Sequence, residues 1–106
     1  MRRWIARQGD VLVERTDETI PSNVAAVKPE RGRGVLARGE ATGHAHTVSA
    51  DDAVRFGSSD DAFWLRVDRP TRLIHEEHTA IALDPGTHRV RRQREYSPSE
   101  IRRVAD

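Results

Sequence analysis

The sequence predicts a small, mostly β domain: an antiparallel barrel or sandwich of seven to eight strands with a short C-terminal helical turn. Three observations lead there. Apolar residues arrive as short alternating or clustered stretches rather than long amphipathic runs. Gly, Pro, Asp and Ser punctuate them at intervals of roughly eight to twelve residues, the spacing of short strands in all-β domains. Helix-start chemistry occurs only in the tail. At 106 residues the chain has the length of one domain, so 1–106 is read as a single unit.

Val11-Leu12-Val13 reads as the first strand. A polar loop with Pro21 and Pro29 follows, with a short turn through Val24-Ala25-Ala26-Val27. Gly32 and Gly34 lead into Val35-Leu36-Ala37-Arg38, and Gly39 to Gly43 connects that strand as a hairpin to His44-Ala45-His46-Thr47-Val48. Beyond the Asp51-Asp52 turn come Val54-Arg55-Phe56, Phe63-Trp64-Leu65-Arg66-Val67 and Thr71-Arg72-Leu73-Ile74-His75. Thr79 to Leu83, the turn Asp84-Pro85-Gly86, and Thr87 to Val90 are expected to form another hairpin. Ser97-Pro98-Ser99-Glu100 is a capping box with Pro at the first helical position. Ile101 and Val104 give that turn one apolar edge. Trp4, Phe63 and Trp64 are core candidates, with a dimer interface as the alternative.

Composition narrows the chemistry. Cysteine is absent, which excludes a disulfide scaffold, a thiolate zinc site, an iron–sulfur cluster and a cysteine nucleophile. No stretch approaches the ~20 apolar residues of a membrane helix, and Met1-Arg2-Arg3-Trp4 lacks the apolar centre of a signal peptide. The expected location is the cytoplasm. The 18 basic and 17 acidic residues leave a formal charge of +1, unlike the strongly basic face of a long-DNA binder. Lys28 is the single lysine; every other basic residue is arginine. Arg-rich codon usage accounts for that, and forked guanidinium groups also suit phosphate recognition.

The five histidines carry the functional signal. Four form two tight groups, Gly43-His44-Ala45-His46 and His75-Glu76-Glu77-His78, and His88 stands apart. Residues two apart on a strand share a face, so His44 and His46 point the same way. His75 and His78 bracket two carboxylates at a strand junction, where small β scaffolds commonly carry function. Surface histidines on unrelated edges are the bland alternative, and two clusters in so short a chain weigh against it.

One chemistry that uses this residue set is a divalent transition-metal site. His-x-His on a strand with a later histidine and a carboxylate suits zinc, iron, nickel or manganese. The stretch from Gly39 through His44, His46, Asp51 and Gly57 to Pro85-Gly86-Thr87-His88 resembles the cupin family. That resemblance implies His44, His46, Asp51 and His88 as ligands. Asp51 stands where cupins usually have Glu, and the scheme leaves His75 and His78 without a role.

The second chemistry is cleavage of a phosphodiester without metal or cofactor. An RNA 2′-hydroxyl is the nucleophile, and the protein supplies a base, an acid and a cationic clamp. Histidine suits both proton roles because its ordinary pKa of ~6.5 lies near neutrality. Strand alternation in Arg91-Arg92-Gln93-Arg94-Glu95-Tyr96 sends Arg92, Arg94 and Tyr96, the only tyrosine, to one face. A solvated edge strand is the competing reading of that segment. Thr42-Gly43-His44-Ala45-His46, His75 to His78, and Arg91 to Pro98 together resemble small CRISPR-linked ring nucleases, over residues 9–106. The resemblance implies a β-barrel homodimer that cleaves a cyclic oligoadenylate, with arginines of both subunits around the ring.

On this reading the catalytic set is His44, His46, His75, His78 and Tyr96. One of His44 and His46 is the base, and one of His75 and His78 the acid. Arg38, Glu77, Arg92 and Arg94 bind the ligand, a small cyclic or linear oligoribonucleotide, and Glu40 is a secondary candidate. A non-catalytic nucleotide- or protein-binding module with titrating histidines is the third possibility.

Overall fold

Nine strands, all antiparallel, make up the computed structural model, which describes residues 3–38 and 43–93. They are β1 (Ile5–Gln8), β2 (Val11–Thr16), β3 (Arg33–Arg38), β4 (Ala45–Ser49), β5 (Ala53–Phe56), β6 (Ala62–Val67), β7 (Thr71–Leu73), β8 (Ile81–Leu83) and β9 (Gly86–Arg92). The mostly β, antiparallel expectation holds. The described residues contain no helix and no closed barrel; the strands form one five-stranded sheet and two hairpins. The expected helical turn after Ser97, together with Glu40, Arg94 and Tyr96, lies outside the described residues.

The large sheet has the order β1-β2-β9-β6-β5, and the hairpins are β3–β4 and β7–β8. Period-two burial builds the core. Val11 and Val13 of β2, Phe63, Leu65 and Val67 of β6, and Val90 of β9 are buried and join Leu36, Val48, Leu73 and Leu83 of the hairpins. Burial of each such side chain stabilises the fold by roughly 1.5–3 kcal/mol. Of the aromatic candidates, Phe63 is core, Trp4 packs half-buried against the core, and half-buried Trp64 stacks under the Arg89 guanidinium at 4.2 Å.

Two features differ from the sequence expectation. The extra strand is β1, joined to β2 by the two-residue turn Gly9-Asp10, with Gln8 opposite Val11. Gly9 takes φ +60°, the sign required at the first central position of a II′ turn. The second is the expected hairpin across Asp84-Pro85-Gly86. Instead β8 pairs with β7, while β9 runs between β2 and β6. Both edges of β9 are thereby occupied, which leaves no place for β8 beside it.

The hairpins meet at one antiparallel bridge that positions the functional residues. Thr47 N–H donates to Ile74 O at 3.0 Å, and Ile74 N–H returns to Thr47 O at 2.9 Å. Thr47 follows His46 and Ile74 precedes His75, so the antiparallel register sets His46 opposite His75.

Candidate active site

Both histidine clusters converge at one end of the molecule. His46 and His75 lie 4.3 Å apart by ring centroid, His75 and His78 4.6 Å, His44 and His75 5.7 Å, and His46 and His78 6.0 Å. The loop from Ile74 to Ala80 carries His75 and His78, as its position between two strands predicts. His44 precedes β4 and His46 lies within it.

The four rings are not equivalent. His46 is buried, its side chain 4% exposed, beneath the other three. The expectation that it meets substrate directly is therefore corrected: it supports the site from below. Its Nδ1 lies 2.8 Å from Gln8 Oε1 and its Nε2 3.3 Å from Asp10 Oδ1. Gln8 is itself buried, and its amide donates to Leu73 O at 3.0 Å and to Thr79 O at 2.9 Å. Those two carbonyls fix the amide orientation, so Gln8 Oε1 accepts the proton on His46 Nδ1. The same amide ties the two ends of the histidine loop together.

The β1–β2 turn closes the floor of the site. A Cβ on Gly9 would come within 2.8 Å of His78 Nε2 and 3.3 Å of His46 Cε1, so the backbone reaches these rings because the residue is glycine. Asp10 Oδ2 accepts from Arg92 Nε at 2.8 Å, and Arg92 Nη2 donates to Arg38 O at 2.6 Å. Although partial burial pushes the Asp10 carboxyl up, the Arg92 hydrogen bond and charge hold it below the usual range, helped by His46.

Arg38 and Arg92 thus come together, as the ligand-binding expectation requires, and they line a cleft of about 500 Å³ with Lys28, Glu30, Arg55 and Asp60. Each guanidinium is anchored. Arg38 pairs with Glu30, Arg92 with Asp10, and Arg55 donates to the carbonyls of Val35, Leu36, Gly57 and Ser59. Sequence reasoning missed Gln8, Asp10 and Arg55. The Gly9-Asp10 pair ahead of an apolar run was the available hairpin signal for the first two.

The carboxylates of the loop reach back to His44. Glu77 Oε1 lies 3.2 Å from His44 Nδ1, and Glu76 Oε1 accepts the Ala45 N–H at 3.1 Å. Backbone hydrogen bonds from Glu76 and Ala45 hold the Glu76 carboxyl below its ordinary value, with His44 and His75 adding to the effect. The Glu77 N–H donates to His75 Nδ1 at 3.0 Å.

The cupin-like ligand set is not assembled. Asp51 sits in the turn beyond Ser49, at the opposite end of β4 from His46, and three residues of strand span roughly 10 Å. His88 faces inward on β9, fully buried against Trp4 at 5.5 Å. Burial, and then the Arg15 guanidinium, keep its pKa below the ordinary imidazole value. A different group, His44, His75 and Glu76, brings three ligand-type atoms within 4.8 Å of one another. It fits a metal poorly. Because His75 Nδ1 accepts a backbone N–H, that lone pair is taken and the ring proton sits on Nε2.

Burial, then the neighbouring His75, lowers the His46 pKa from 6.5 to about 4, with His78 acting in the same direction and Asp10 in opposition. The sign of the linkage follows. Between pH 6.5 and 4 the unfolded chain binds the proton that the folded chain refuses, so acid favours unfolding. The stability contribution is complete above pH 6.5 and is lost as pH falls through this window, by up to about 3 kcal/mol. Thermal melts at stepped pH should show this decline, and His46→Gln should flatten it. A flat wild-type profile from pH 7 to 4.5 would contradict the assignment.

No curated protein and no solved structure matches the chain. A family description does match residues 7–93, a stretch that begins in β1 and includes Gln8, Asp10, all five histidines and Arg92. The chain belongs to the family described as Domain of unknown function (DUF8820).

Proposed function

We propose that the protein is a metal-independent phosphodiesterase acting on a small RNA-type ligand, a cyclic oligoadenylate second messenger, in the manner of a ring nuclease. The observation that carries this reading is the convergence of the two histidine clusters. Four imidazoles within 4.3–6.0 Å of one another supply proton acceptors and donors on either side of one phosphodiester. The attacking oxygen is the substrate's own 2′-hydroxyl, so no protein nucleophile is needed. The cleft of Lys28, Arg38, Arg55 and Arg92 beside the cluster favours an anionic ligand. Its modest size suits one or two nucleotides per subunit, so a ring would be enclosed by a homodimer.

The test is direct. Protein is incubated with cyclic oligoadenylates and with linear RNA, with and without EDTA, and the products are separated by chromatography. Cleavage that resists EDTA and leaves 2′,3′-cyclic phosphate ends is the expected result. Cleavage abolished by EDTA would replace this reading with a metalloenzyme, and retention of ligand without turnover would replace it with a binding module.

A further inference from the structure

Which ring is base and which is donor turns on a residue between the two clusters. Glu77 makes two contacts of opposite sense. Its backbone N–H donates to His75 Nδ1 at 3.0 Å, and its carboxylate oxygen stands 3.2 Å from His44 Nδ1. A nitrogen that accepts an N–H carries no proton in the neutral ring, so His75 holds its proton on Nε2. A nitrogen facing a carboxylate keeps its proton, so neutral His44 holds its proton on Nδ1 and presents a lone pair at Nε2. We propose that Glu77 is a positioning residue that sets opposite tautomers on His44 and His75, making His44 the general base and His75 a neutral hydrogen-bond donor to the phosphoryl group.

The geometry supports that division. The two rings stand 5.7 Å apart at 90°, so their Nε2 atoms serve different atoms of one substrate. Glu76 reinforces the arrangement: by accepting the Ala45 N–H it ties the His44 segment to the loop that bears Glu77. The Glu77 side chain is 61% exposed, so its carboxylate contributes little to folding and is available for orientation. The chemistry rests on the phosphodiesterase reading and then balances as follows. The 2′-hydroxyl proton passes to His44 Nε2 as the 2′-oxygen bonds to phosphorus. His75 Nε2–H stabilises a non-bridging oxygen without giving up its proton. The bond from phosphorus to the 5′-oxygen breaks, and that oxygen takes a proton from the imidazolium of His78, the remaining solvent-exposed ring.

Ring tautomers are read independently of turnover. Protein labelled with ¹⁵N-histidine is examined by long-range ¹H–¹⁵N spectroscopy at about pH 8.5, roughly two units above the ordinary imidazole pKa. The wild type should show His44 protonated at Nδ1 and His75 at Nε2. In Glu77→Ala the His44 signals should move toward the Nε2-protonated form. His75 should stay unchanged, because the backbone N–H remains. Glu77→Gln, which keeps an acceptor oxygen, should hold the wild-type pattern. In the cleavage assay Glu77→Ala should lower kcat by about 10- to 100-fold with KM within about twofold, and Glu77→Gln should recover most of the rate.

An Nε2-protonated His44 in the wild type, or an unchanged His44 pattern in Glu77→Ala, would overturn the inference even if the protein cleaves RNA. Tautomers that behave as described in a protein with no phosphodiesterase activity would support the device and remove the proposed reaction instead.

Discussion

His44→Ala is expected to slow EDTA-resistant cleavage of a cyclic oligoadenylate by about 10²–10⁴-fold, the usual contribution of a positioned general base. The ring is half-exposed at the start of β4, above buried His46, so its loss removes little packing. The melting temperature should therefore remain within a few degrees, roughly the shift of half a kcal/mol in a domain of this size. Single-turnover rates and thermal melts on the same preparation separate lost chemistry from lost fold. His78→Ala should behave similarly if it supplies the leaving-group proton. Full activity in both variants would sink the assignment, because no acid–base pair would then remain to be shared between the clusters.

Gln8→Leu should have the largest effect on stability. Leucine matches the bulk of the buried amide and none of its bonding. The substitution strands the Leu73 and Thr79 carbonyls and the proton on His46 Nδ1, all three satisfied now by one side chain. Each stranded buried group costs about 1–3 kcal/mol, so a net loss of about 3 kcal/mol and a fall in Tm of roughly 15 °C are expected. The loop of His75 and His78 should loosen before the large sheet does, since the amide spans its two ends. Amide exchange localised to residues 74–80 would report that order. A variant that melts like the wild type would show that water replaces the amide, and would remove Gln8 from the support of the site.

Much of the strand content was legible because burial on a pleated strand alternates with period two. Val11 and Val13, or Phe63, Leu65 and Val67, announce a buried face without any knowledge of neighbours. β1 was not legible in the same way. Its residues Ile5-Ala6-Arg7-Gln8 carry only one large apolar side chain, which turns out exposed, and its buried member is a glutamine. The pairing of β8 with β7 was hidden too, since the turn at Asp84-Pro85-Gly86 fits a hairpin locally and only the demand of β2 and β6 for β9 rules it out.

For the candidate site, the residue types and the two histidine clusters were determined by the sequence alone, as was the absence of thiol chemistry. Their meeting was decided by the tertiary structure, through the Thr47–Ile74 bridge between residues far apart in the chain. The fold also sorted the five histidines. It turned His88 into core, sank His46 beneath the site onto Gln8 and Asp10, and left His44, His75 and His78 to face solvent or one another. The physical reason is that imidazole is amphipathic and nearly neutral in cost. It is buried or exposed according to which hydrogen-bond partners and ring neighbours the backbone register brings to it, and register is a property of paired strands rather than of any one of them.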